Sequence, residues 1–220
     1  MGVHAEYRCM PEDGLVTIKP ATLADEEAAA LSFGGLTVLG FFRRANLRVG
    51  ERIAINGASG SIGVAAIQLA KYFGAHVTAV SSGANLELTK SLGADEVVDY
   101  TKEDFASSGR VYDVVLDAAG TAPFSRVKPS LSPRGRFIPV LGSLRDLLLA
   151  PWVNVTGRRR IVSGLVRSQV KDLELLGQLA RHGVYRAVID RRFRLSDIVE
   201  AHRHVDTGHK RGSVSVAVLQ

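Results

Sequence analysis

Two hydrophobic periods alternate along this chain. Arg52-Ile53-Ala54-Ile55-Asn56 has the apolar run of a short buried strand. Ser61 to Phe73 changes to the helical period, with Ile62, Ala65, Ala66, Leu69 and Ala70 on one face. Gly74 follows, where a helix end favours a left-handed residue. His76 to Val80 predicts a second strand, Asn85 to Leu92 a helix closed by Gly93, and Glu96 to Asp99 a third strand. The alternation then repeats. Val111 to Asp117 predicts a strand ending at Ala118-Ala119-Gly120, and a helix is expected around Pro123 to Leu131. A turn at Ser132-Pro133-Arg134-Gly135 leads to a strand from Arg136 to Leu141, with Gly142 after it. Ser143 to Leu149 reads as a helix, Arg160 to Leu165 as a sixth strand, and Val170 to Arg181 as a helix. Strands alternating with helices imply α/β architecture with a parallel sheet. Six strands in two halves give a doubly wound sheet, and the apolar run Val114-Val115-Leu116 suits a sheet covered on both faces.

The ends break the alternation. Gly14 to Lys19 is strand-like and bounded by Pro20, and Ala24 to Phe42 predicts one or two helices. Near the other end, Leu195 to Val205 is an amphipathic helix with a cap expected at Ser196-Asp197, and Ser213 to Leu219 alternates as a final strand. The expected organisation has three parts: 1–23 as remnant of a second, β-rich domain, 24–185 as the nucleotide-type domain, and 186–220 as a helix and strand returning to the second domain.

Between the first strand and first helix stands Gly57-Ala58-Ser59-Gly60-Ser61-Ile62-Gly63. A pyrophosphate site of the Rossmann type needs a tight turn, close backbone approach and close helix–strand packing, which three glycines can supply. Free N–H groups at the helix start then meet the phosphate charge. The spacing is G-x-x-G-x-x-G, with Ala58 at the usual first position. After the second strand, Ser81-Ser82-Gly83-Ala84-Asn85 holds no acid before Glu87. An acid there would hold a ribose 2′-hydroxyl. Its absence removes repulsion against a 2′-phosphate, so NADPH is expected, with NADH possible.

The net charge of +6 is uneven: −1 over residues 1–150 and +7 over residues 151–220. A basic tail half could bind nucleic acid, but no nucleic-acid motif accompanies it. A solvated surface that also favours a phosphorylated cofactor is the expectation. Cys9 is the only cysteine, so there is neither an intramolecular disulfide nor a cysteine cluster for zinc. This suits a reducing cytoplasm. The start, MGVHAEYRCMPEDG, has no basic segment followed by an apolar run, which predicts no secretory leader. Ala28 to Phe42 is mostly apolar but falls short of the ~18 residues that span a bilayer. No membrane partner, no nucleic acid and no metal are therefore expected. His202 and His204 fall on different helical faces, with His209 in a loop. No tyrosine has a lysine four residues on, as short-chain dehydrogenases require, and the hydrolase elbow G-x-S-x-G fails on spacing at Gly57 to Ser61. No catalytic acid or base stands out.

GASGSIGVAAIQLAKYFGAHVTAV, SLGADEVVDYTKEDF, VYDVVLDAAG and HRHVDTGHKRGSVSVAV together resemble the zinc-independent medium-chain dehydrogenase/reductases, in their NADPH quinone oxidoreductase branch. The resemblance runs from about His4 to Val218. It implies a nicotinamide contact at Gly35-Leu36-Thr37 and pyrophosphate contacts at Ser59, Gly60, Ser61 and Ile62. It puts the 2′-phosphate at Ser82 and Tyr100. Ala119-Gly120 and Leu141-Gly142 match cofactor-lining positions, and Lys210 or Arg211 matches a residue that often reaches the cofactor. Ala84 and Asn85 stand where the family has a basic residue. The resemblance further implies that most of an N-terminal, GroES-like catalytic domain is absent.

The expected activity is hydride transfer from NADPH to a small-molecule electron acceptor, a quinone or an activated alkene or carbonyl. A nucleotide-binding module without turnover is the alternative, as is a truncated, inactive reductase. In the truncated case Ala28 to Phe42 and the final strand would expose an apolar patch and an open sheet edge. A homodimer through the sixth strand could cover part of it.

Overall fold

A computed structural model describes residues 5–142 and 144–218. A 21-residue helix, α1 (Asp25–Ala45), opens the ordered fold with three acids in its first turn and two arginines in its last, charges that suit the helix dipole. It is one helix rather than two. The sheet follows: β1 (Arg52–Asn56), α2 (Ser61–Tyr72), β2 (His76–Ser81), α3 (Leu86–Ser91), β3 (Glu96–Asp99), β4 (Tyr112–Asp117), α4 (Phe124–Val127), β5 (Leu131–Pro139), α5 (Leu144–Thr156), β6 (Arg160–Ile161) and α6 (Val170–Arg181). Strand order is β3-β2-β1-β4-β5-β6, all parallel. This is the six-stranded doubly wound order, and its switch point lies between β1 and β4.

Strand alternation divides the core into two layers. Ile53 and Ile55 of β1, with Val114 and Leu116 of β4, pack under α1, α2, α3 and α6. Ala54, Val115 and Phe137 face the other way, toward Phe105, Phe124, Val127 and Ala150 of α5. The period of 2 thus supplies both faces of a fully covered sheet.

Four expectations need correction. Gly14 to Lys19 forms no strand; Gly14 and Leu15 lie in a bend and 16–19 in coil. Ser132 to Gly135 is no turn between elements but part of β5: pairing passes from Tyr112↔Leu131 to Val114↔Arg136, so the extra residues bulge within one nine-residue strand. β6 keeps only Arg160 and Ile161, because the chain leaves the sheet after Val162 N–H reaches Phe137 O at 2.8 Å. At the last helix, Ser196 and Asp197 lie in a 3₁₀ turn and no side chain makes the capping bond. One strand escaped the pattern altogether. β7 (Ile189–Arg194) pairs in parallel with β8 (Ser213–Ala217), across α7 (Ile198–Asp206). Leu219 lies outside the described residues.

The apolar patch that the truncated alternative implies over Ala28 to Phe42 is not seen among the described residues. Leu31, Val38, Leu39, Phe41 and Phe42 are buried under α2, α6 and the tail, and Phe33 alone of the large apolar residues on α1 stays 66% exposed.

Candidate active site

The glycine loop sits at the carboxyl end of β1, beside the switch point, where doubly wound sheets form their ligand crevice. Gly57 has φ +77°, and a Cβ on it would press on Ala119 of the β4 loop. Only glycine suits that turn. Gly63 answers the packing requirement: a Cβ there would overlap the Gly57 carbonyl. Gly60 is different. A Cβ on it would meet only the Gly57 oxygen, at 3.7 Å, so the space it leaves lies on the cleft side. The first-turn N–H groups of α2 have no intrahelical acceptor, and no side chain caps them.

Above this loop is a cleft of about 480 Å³. One wall is Gly57, Ser59 and Gly60. A second is the β2 loop, Ser81, Ser82, Ala84 and Asn85, with Tyr100 beyond it. The third comes from about 150 residues away in sequence: Gly208, His209, Lys210 and Arg211. Backbone bonds stitch this tail loop down. Gly212 N–H donates to Ser59 O at 2.7 Å, and Gly60 bridges Gly212. Lys210 Nζ donates to Ser61 Oγ and to Gly212 O, each at 2.7 Å. Burial pushes the Lys210 ammonium below the ordinary lysine range, while Asp190 acts in the opposite sense. Arg211 donates to Ala84 O at 3.2 Å, bringing a guanidinium to the β2 loop. The cleft lining contains Lys210 and Arg211 and no carboxylate.

Asn85 joins two walls, its Nδ2 donating to Ser59 Oγ at 3.2 Å and Ser82 Oγ at 3.1 Å. Its Oδ1 is buried without a partner among the described residues. At the floor, Asp117 is 3% exposed and gathers the β4 loop: Oδ1 accepts from Asn56 Nδ2, Ala119 N–H and Gly120 N–H, and Oδ2 from Ala122 N–H.

Of the residues singled out from sequence, Gly57, Ser59, Gly60, Ser82, Tyr100, Ala119 and Lys210 line the cleft together. Ser61, Ile62 and Gly63 form the helix start beneath it. Gly120 and Leu141 adjoin each other beyond Ala119, and Gly142 follows with φ +39°. All three lie outside the lining, as does Thr37, whose hydroxyl donates to Phe33 O at 2.8 Å within α1. Sequence reasoning passed over Asn85, Ser81 and His209 as site residues. The clue for Asn85 was its place three residues after Ser82, in the same loop.

A family model described as zinc-binding dehydrogenase matches residues 92–216. A chloroplastic quinone oxidoreductase of Triphysaria versicolor is 35% identical over 96% of this chain. The chain belongs to the medium-chain dehydrogenase/reductase family. Other members that it resembles include a trans-enoyl reductase of Aspergillus terreus, 32% identical over 99% of the chain. The solved quinone oxidoreductase of Coxiella burnetii superposes with a TM-score of 0.80 at 30% identity, over 89% of the chain. The chain spans 68%, 65% and 62% of the lengths of these three proteins. The family fold is a nucleotide-binding dehydrogenase domain, and the crevice stands at its usual place. The family description mentions zinc. Among the described residues no group of three or more His, Cys, Asp or Glu is placed to hold a metal ion, and no helix is long and apolar enough to cross a membrane.

Proposed function

We propose that this chain binds NADPH and serves an oxidoreductase that passes hydride to a quinone or an activated alkene or carbonyl, without zinc. The observation that carries it is an acid-free crevice with a glycine loop on one wall and Lys210 and Arg211 on the opposite one. The crevice residues fit a dinucleotide. The open space over Gly60 suits a pyrophosphate, the α2 N–H groups suit its charge, and the orphan Asn85 Oδ1 suits a donor such as a ribose hydroxyl. When bound, the nicotinamide ring supplies the hydride. The chain's own residues bind and orient. Lys210 balances phosphate charge, while Ser82, Tyr100 and Arg211 support a 2′-phosphate beside the β2 loop. Arg211 fills, from the tail, the role left vacant by Ala84 and Asn85. A reducing cytoplasmic setting agrees with the lone, exposed Cys9. An edge-to-edge homodimer through Arg160–Ile161 belongs to the same proposal, supported by the position of β6 at the sheet edge.

One observation favours a second possibility, a nucleotide-binding module without turnover: the lining stops at Ala119, short of Leu141 and Gly142. Titration of the protein with NADPH and NADH, followed by addition of a simple quinone, separates the two. Quinone-dependent oxidation supports the reductase, and binding without oxidation supports the module. Arg211→Ala is expected to weaken NADPH about tenfold while leaving NADH within about twofold, since a charge-assisted bond contributes roughly 1.5–3 kcal/mol. Equal losses for the two nucleotides would rule out 2′-phosphate recognition by Arg211.

A further inference from the structure

We propose that Asn56 and Asp117, which close the two central strands, are the positioning pair that directs a pyrophosphate to the α2 side of the crevice. The inference rests on the nucleotide reading above and names what holds the crevice in shape. β1 ends at Asn56 and β4 at Asp117, and the two pair in register across the switch point. Both are buried. A buried polar pair persists where its hydrogen bonds are made, and here they are. Asn56 Nδ2 donates to Asp117 Oδ1 and to Thr121 Oγ1, each at 2.9 Å. The backbone adds a third tie, Ala118 N–H donating to Asn56 O at 2.9 Å. Directly after Asn56 comes Gly57, which has no room for a Cβ against Ala119. The pair therefore fixes the gap between the glycine loop and the β4 loop, and both loops line the crevice.

The charge of Asp117 is the second part of the device. A carboxylate at the floor of an anion crevice repels phosphate unless its oxygens are engaged. Besides the Asn56 amide, Asp117 accepts from Ala119 N–H at 3.1 Å, Gly120 N–H at 3.0 Å and Ala122 N–H at 2.9 Å. Successive backbone N–H groups in a turn form a concavity that binds anions. The β4 loop, with Gly120 at φ +71°, supplies such donors, and the chain's own carboxylate fills the place. The first turn of α2, where no side chain caps the N–H groups, is left to receive the phosphates. The lining holds Gly57, Ala118 and Ala119 but not Asp117, so the pair acts through the two loops and touches no ligand.

Two ligands separate positioning from folding. NADPH carries a pyrophosphate; adenosine 2′-monophosphate meets the β2 loop and Arg211 without one. Asp117→Asn keeps the side-chain shape but puts an amide where an acceptor is needed. It should weaken NADPH about tenfold or more, while adenosine 2′-monophosphate stays within about twofold by calorimetry. Asn56→Asp is the second variant, and it decides the matter where Asp117→Asn does not fold. It sets two carboxyl groups at the 2.9 Å contact, where like charges favour a shared proton. At low pH that proton keeps the bond across the switch point. As pH rises the proton leaves and the bond breaks. NADPH affinity relative to wild type should therefore fall as pH rises, and relative affinity for adenosine 2′-monophosphate should stay level. Equal losses of both ligands in either variant overturn the proposal, since they report general loosening. So does a level NADPH ratio across pH in Asn56→Asp. Wild-type protein that binds no NADPH overturns the nucleotide reading and this inference with it. Wild-type binding that Asp117→Asn leaves unchanged overturns this inference alone.

Discussion

Helices α1 and α5 lie on opposite layers of one sheet, and both carry more apolar surface than a single face can bury. Their fates differ. α1 is covered on several sides, by α2, by α6 and by β8. α5 has a core on one side and solvent on the other. Apolar content does not separate them, since both helices carry large apolar side chains on more than one side. What separates them is the rest of the chain. Residues 170–217 fold back over α1 and cover it, and nothing in the described chain crosses the outward face of α5.

The largest test of that contrast is truncation. Phe42 is 3% exposed and touches Phe73 edge-on, at 6.4 Å between centroids. Phe42→Ala is expected to cost about 3–5 kcal/mol in urea unfolding. Leu148→Ala should stay within about 0.5 kcal/mol. Comparable losses at both positions would mean that the outward face of α5 is covered in the folded protein.

A second contrast sharpens the site. Gly63→Val puts a side chain where the Gly57 carbonyl lies, so α2 must move off β1; a loss of about 1–3 kcal/mol is expected, together with most of the nucleotide affinity. Gly60→Ala meets nothing but one oxygen at 3.7 Å, so stability should hold within about 0.5 kcal/mol. Nucleotide affinity should still fall about tenfold, through loss of close approach to the pyrophosphate. Calorimetry of the two variants with NADPH checks this. Unchanged affinity in Gly60→Ala would remove Gly60 from the pyrophosphate contact.

The same contrast between local and distant information explains what the sequence disclosed. β1 to β4 and α6 were legible within a residue or so, because each carries an unbroken period with a glycine within a few residues of one end. β7 was not: Ile189-Asp190-Arg191-Arg192-Phe193-Arg194 has four charged residues, and only pairing with β8 makes it a strand. The Ser132 to Gly135 segment has turn chemistry, yet β4 pairs with Leu131 before it and Arg136 after it, so it bulges within one strand. α5 runs through Pro151 to Thr156, past the expected stop at Leu149, because its inner face packs on the sheet. In the site, the glycine loop and β2 loop were readable from local motifs. The third wall was readable only in part, since nothing local says that a loop at 208–212 lies against Ser59 and Ser61.

Lys210 offers the smallest effect and the most specific one. Its ammonium is half-buried between Ser61 and the Gly212 carbonyl, and that partial burial lowers its pKa from 10.5. A lysine lowered in the folded state binds fewer protons folded than unfolded between its two pKa values. Stability of the unliganded protein therefore gains from Lys210 as pH rises through that window, which lies below 10.5. Nucleotide binding has the opposite slope. A pyrophosphate restores the favourable setting for the charge, so affinity falls as pH rises through the same window. Lys210→Met should flatten both slopes, raising unliganded stability at neutral pH and lowering nucleotide affinity about tenfold or less. Denaturation midpoints and nucleotide titrations across the alkaline range read the two slopes separately. If wild type and Lys210→Met keep identical pH slopes in binding, Lys210 holds the tail loop to α2 and takes no part in meeting the phosphates.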